Sequence, residues 1–186
     1  RLIYIVRHPI RRMISHWMAA QRSGNCNMLL NRAIREFPIL VDGSRYLNQI
    51  HHYKEHRPAE HILVLFFEDF VSDAPAMLRR CFEFLGVDST VSIAEADRPR
   101  NAKVDTSLMS WARRRLPGLV RTGPDLPKPI RRIVGPLFRR PITKRPDLDE
   151  KTLAWAVDQI ADETTEFLKH HGKSPNYWDL FATKRS

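Results

Sequence analysis

Residues 1–22, RLIYIVRHPIRRMISHWMAAQR, constrain the fold more than any other stretch of the chain. Leu2 to Val6 is a short, continuous apolar run rich in β-branched residues, the pattern of a strand covered on both faces. Pro9 suits the first turn of a helix, where its missing N–H is not needed. Ile10, Met13, Ile14, Trp17 and Met18 then recur at helical spacing and mark one apolar face. Arg12, Ser15, Ala19 and Arg22 fall on the opposite side. A strand running straight into a helix leaves N–H groups and a partial positive charge at the corner, and both favour an anion. Arg7 stands where the strand should end and adds a guanidinium fork suited to phosphate. Ser15 adds a hydroxyl about 9 Å along the helix from Pro9, and an Arg side chain laid along the helix brings the two groups to one phosphate. An amphipathic helix with a solvated basic face has the same spacing, so the residues alone leave both readings open.

A second apolar run, HILVLFF at 61–67, reads as another strand buried on both faces. Between the two strands lie a loop opened by Gly24, a short helix near 28–37 stopped by Pro38, and a helix from an N-cap at Ser44 through His56. Strand, helices, strand is the pattern of a parallel crossover in an α/β fold. After the second strand, Glu68 and Asp69 sit at its predicted end, where adjacent side chains point to opposite faces. They therefore read as structural partners of an Arg or a loop, not as a paired acid and base. Ser72 is the expected cap of the next helix, whose apolar face is Met77, Leu78, Cys81, Phe82 and Leu85, with Gly86 at its end. A last long helix is expected over 149–171, ended by Gly172, with Tyr177 and Trp178 packing back on the domain.

The spacing Arg7-x-Pro9-x-x-Arg12-x-x-Ser15-x-Trp17 resembles the 3′-phosphate-binding segment of the sulfotransferases that use 3′-phosphoadenosine 5′-phosphosulfate (PAPS), with Trp17 at the position usually held by Tyr. The run ILVLFFEDFVSDAPAMLRRCFEFLGVD resembles a second segment of the same family. The resemblance implies an α/β fold of three layers, a parallel sheet flanked by helices, of the P-loop and sulfotransferase type. It implies transfer of a sulfuryl group from PAPS to a hydroxyl or amine acceptor. Carried over by position, Arg7 and Ser15 bind the 3′-phosphate, and Arg12 adds positive field or pairs with an acid. Phe67 holds the place of an aromatic that contacts adenine in some members; it can pack on a base but lacks a phenol hydroxyl, and a core role fits it as well.

The family also often lays a late basic loop over the 3′-phosphate. Here Arg100, Asn101 and Lys103, in the loop 98–103, are the candidates, against an ordinary solvated loop. Two family features are missing. No Gly-rich phosphate loop with a Lys occurs, and neither His8 nor His16 falls at the family's catalytic position. Both the loop and the base are expected upstream of Arg1, so the chain reads as a fragment that lacks the first strand and phosphate loop.

Composition widens the reading. The 186 residues suffice for one domain, taken as 1–186, with a basic, Pro-rich insertion near 112–147. A net charge of +10 favours acidic partners, so a non-catalytic module binding nucleic acid or acidic glycan is the alternative to an enzyme. Beyond the nucleotide donor, an acidic glycan or lipid acceptor and contact with a membrane surface stay open, and no specific nucleic acid is expected. Cys26 and Cys81 are isolated, which points to reduced thiols and a cytoplasmic location. His170 and His171 have no companion ligands in the sequence, and no metal is expected.

Overall fold

The computed structural model describes residues 1–91, 104–105, 140–141 and 146–181. Strand β1 is Leu2–Val6 and strand β2 is Ile62–Phe66. They pair in parallel, from Leu2 opposite Ile62 to Val6 opposite Phe66, as the crossover pattern requires. The crossover holds α1 (Pro9–Ser23), α2 (Leu30–Glu36), α3 (Ile39–Asp42) and α4 (Tyr46–His56), then a single 3₁₀ turn at Ala59–His61. Beyond β2 come α5 (Phe67–Ser72) and α6 (Ala74–Leu85). Two-residue strands β3 (Val104–Asp105) and β4 (Arg140–Pro141) pair antiparallel. The helices α7 (Glu150–Asp158) and α8 (Ala161–His170) close the described chain. The basic loop with Arg100, Asn101 and Lys103, and nearly all of the insertion near 112–147, lie outside the described residues.

Two cores organise these elements. Ile10, Met13, Ile14 and Met18 of α1 bury against Leu30, Ala33 and Ile34 of α2, Leu40 and Val41 of α3, and Ala156 and Val157 of α7. The second core joins one face of the sheet, Val6 and Phe66, to Tyr46, Leu47 and Ile50 of α4, Phe167 and Leu168 of α8, and Trp178. Each Val, Leu, Ile, Phe or Met among them, taken from water to full burial, contributes about 1.5–3 kcal/mol.

Several sequence expectations need correction. The strands are not covered evenly on both faces: Leu65 is fully buried, but Ile5, its partner on the same face, is 54% exposed. Among the described residues α5 and α6 pack on β2. The helix expected over 149–171 is broken at Ile160, whose φ of −132° leaves the helical region. The break lets Ile160 join the first core while Phe167 and Leu168 join the second. Ser44 does not cap α4; it is fully buried, and its hydroxyl donates back to the Leu40 carbonyl at 3.1 Å. The α4 N–H groups of Leu47 and Asn48 donate instead to the Glu163 carboxylate of α8, a cap supplied from more than a hundred residues away. Ser72 ends α5, and the cap of α6 is Asp73, which accepts from Ala76 N–H at 2.9 Å.

Candidate functional site

The corner between β1 and α1 begins at Val6, which is fully buried, and turns at His8 before Pro9 starts the helix. No acidic side chain lies in the first turn of α1, and no side chain of its own caps it. The Arg7 backbone is held by one phenol: the Tyr46 hydroxyl donates to the Arg7 carbonyl at 2.6 Å and accepts from the Arg7 N–H at 3.4 Å. Burial pushes the Tyr46 hydroxyl far above its ordinary pKa, so it stays a neutral donor.

The Arg7 guanidinium lies over Phe67, with 5.0 Å from its carbon to the ring centroid, a cation–π contact. Phe67 comes to this place because β2 ends at Phe66, in register with Val6, so the first residue of α5 stands beside the first residue after β1. The structure thus brings Arg7 and Phe67 together. It turns Arg12 elsewhere: the guanidinium lies against Gly43, 3.4 Å from the Ser44 hydroxyl. Ser15 sits half-buried on α1, two turns beyond the corner.

Glu68 and Asp69 are not at a strand end. They occupy the first turn of α5 and reach different partners. Glu68 accepts the His8 backbone N–H at 3.0 Å through one carboxylate oxygen and the Trp178 indole N–H at 3.1 Å through the other. An N–H at the start of α1, read from sequence as open to an anion, is therefore already occupied from within the chain. Asp69 accepts Lys173 at 2.7 Å and the Tyr177 hydroxyl at 2.6 Å. Partial burial pushes the Asp69 carboxyl up, but these two hydrogen bonds together with the Lys173 and Arg80 charges outweigh it and hold the group below the usual carboxylate range. The structural role expected for the two acids is borne out, with Lys173, Tyr177, Trp178 and a backbone N–H as partners in place of an Arg.

His8 is 4% exposed. Its Nε2 lies 2.7 Å from the Asp179 carbonyl, which can only accept, so Nε2 carries the proton and Nδ1 the lone pair. Burial lowers its pKa, more than the Asp179 contact raises it, and keeps the ring neutral. His16 is likewise lowered by burial and by the Arg12 charge. Tyr177 and Trp178 do pack back as expected, with Trp178 5.9 Å from Tyr46 and 5.4 Å from Phe66 between centroids. Tyr46 and Lys173 were not singled out from the sequence as site neighbours; nothing local marks a residue whose partner is 39 or 104 positions away.

Residues 1–91 match a family model described as the sulfotransferase family. Among solved structures the chain resembles a sulfotransferase from Alicyclobacillus acidocaldarius, with a TM-score of 0.57 at 12% identity. The match covers 94% of this chain and 55% of that one. At that identity the likeness is one of fold, and the chain spans little more than half the length of the solved protein. No curated protein matches the chain.

Proposed function

Because this chain belongs, through residues 1–91, to the sulfotransferase family, we propose that it supplies the 3′-phosphate-binding part of an enzyme that moves a sulfuryl group from PAPS to a hydroxyl or amine. In such a transfer a base takes the acceptor's proton, the acceptor oxygen or nitrogen bonds to sulfur, and the donor departs as the bisphosphate. The observation that carries the reading is the Arg7 guanidinium, held over Phe67 at the end of β1 within the matched segment. The guanidinium at the edge of the corner suits the group, and because the His8 N–H is taken by Glu68, the reading rests on Arg7 and not on that N–H.

In this reading Arg7 and Ser15 grip the 3′-phosphate and set the donor's register. Phe67 steadies Arg7 on one ring face. Arg12, turned toward Ser44, adds positive field rather than contact. Arg100 and Lys103 close over the same phosphate. In this reading the two parallel strands belong to a wider three-layer sheet of the P-loop type. The net charge of +10 favours an acidic acceptor, a glycan or a lipid headgroup at a membrane surface. No helix among the described residues is long and apolar enough to cross a membrane. Free Cys26 and Cys81 fit a reducing, cytoplasmic setting. The polyanion-binding alternative rests on charge alone, and the family match draws the reading away from it.

The test is calorimetric. Adenosine 3′,5′-bisphosphate is expected to bind at least about tenfold more tightly than adenosine 5′-monophosphate, since a hydrogen bond to a charged group is worth about 1.5–3 kcal/mol. Equal affinities reject the assignment.

A further inference from the structure

Among the described residues, Glu68 joins the strand–helix corner to the C-terminal segment through a single carboxylate. Its two oxygens accept from His8 N–H at 3.0 Å and from Trp178 Nε1–H at 3.1 Å. The same segment returns to the corner a second time, through the Asp179 carbonyl on His8 Nε2 at 2.7 Å. His8 is thus fixed by its backbone and by its ring, on the residue immediately after Arg7. The Arg7 backbone itself is fixed on its other side by Tyr46.

We propose that Glu68 is a positioning residue for phosphate recognition: by accepting the His8 N–H it sets the corner from which Arg7 reaches the nucleotide 3′-phosphate. The inference rests on the reading of Arg7 given above. Both partners of Glu68 are donors, so the site requires a group that only accepts. A glutamine is nearly the same size but has one acceptor and one donor. It can serve either His8 or Trp178, and its NH₂ then faces an N–H of the other. The corner is displaced by that clash, whereas a neutral phenyl ring in place of the indole removes it. An N–H directed at an aromatic face is a tolerated contact.

The experiment measures the affinity ratio between adenosine 3′,5′-bisphosphate and adenosine 5′-monophosphate for the full chain and for E68Q, W178F and E68Q/W178F. The wild type is expected to favour the bisphosphate at least about tenfold. E68Q should lose most of that preference while binding the monophosphate as before. W178F should keep it, because the carboxylate still holds His8. The double variant should recover it, since its amide oxygen can serve His8 alone. A role confined to stability would move melting temperature and leave the ratio untouched. Full preference in E68Q overturns the inference, and so does a double variant that folds but fails to recover. Should E68Q not fold, the double variant decides alone: a low ratio overturns the inference and a wild-type ratio upholds it. A wild type with no preference removes the reading of Arg7 itself, an outcome distinct from these and fatal to both.

Discussion

The two strand–helix corners of this protein lie side by side and are built on opposite chemistry. β1 and β2 end in register, at Val6 and Phe66, and each turns directly into a helix. The first corner carries Arg7, a buried neutral His8 and no acid in its first helical turn. The second carries Glu68 and Asp69 in its first turn. The difference shows which charges are spent inside the fold. The acids of the second corner are both engaged, one with the first corner and Trp178, the other with Lys173 and Tyr177. The guanidinium of the first corner lies over the Phe67 ring, 5.0 Å from its centroid.

The comparison breaks most visibly at Trp178. This side chain is 3% exposed, packs in the second core and hydrogen-bonds Glu68. Trp178→Ala should cost about 3–5 kcal/mol of folding stability in a denaturant titration. A loss under about 1 kcal/mol, the level of an ordinary surface change, would mean that the tail does not tie the corners together.

A smaller effect separates the corners by ligand. Arg7→Ala should weaken the bisphosphate by about 2–3 kcal/mol and leave adenosine 5′-monophosphate unchanged, as read by calorimetry. Asp69→Asn, at the other corner, should leave both affinities within about threefold of wild type, in keeping with small effects away from a contact. The opposite ranking would put the phosphate site on the wrong corner.

Smaller again is Tyr46→Phe, which keeps the ring and removes the hydroxyl from the Arg7 carbonyl and N–H. It should cost about 1–1.5 kcal/mol of stability with an unchanged denaturant slope. An unchanged midpoint would show that the Arg7 backbone is held by other groups.

The subtlest contrast is in pH. Burial depresses the His8 pKa, so the unfolded chain takes up a proton there that the folded chain refuses. Stability contributed at the first corner is therefore present above about pH 6.5, the unfolded value, and falls as pH drops below it. Asp69 is also depressed, because the Lys173 and Tyr177 hydrogen bonds and the Lys173 and Arg80 charges together exceed its desolvation. Its contribution persists to about pH 4 and is lost only below that. Melting temperatures across pH should show the Asp69→Asn variant lacking the lower step while keeping the upper one. A single common step would contradict the separation.

Much of the scaffold was legible locally. Gly24, Gly86 and Gly172 do end helices, at φ of 79°, 75° and 67°, because glycine takes the left-handed cap without a Cβ penalty. Continuous apolar runs announced both strands, and the intervening helical pattern implied their parallel pairing. The reading of Glu68 and Asp69 went astray by a residue or two of strand length. That small slip moved both acids from a strand end into a helix, and with it changed which partners they reach. Ser44 and Ser72 failed as caps for a related reason. Capping propensity is worth only about 1 kcal/mol, and tertiary partners such as Glu163 readily replace it.

From the order of its residues alone the chain determined where β-branched runs extend, where Pro9 starts a helix, where glycines stop one, and that Arg7 precedes that helix while Ser15 lies in its second turn. These depend on sterics and periodicity within a few positions. Folding alone decided that Phe67 lies beneath Arg7, that Glu68 takes the His8 N–H, that Arg12 turns to Ser44, and that residues 173–179 return to the corner. Those contacts join positions tens to more than a hundred residues apart, and register, burial and hydrogen-bond demand choose among many chemically equivalent partners only once the chain has closed on itself.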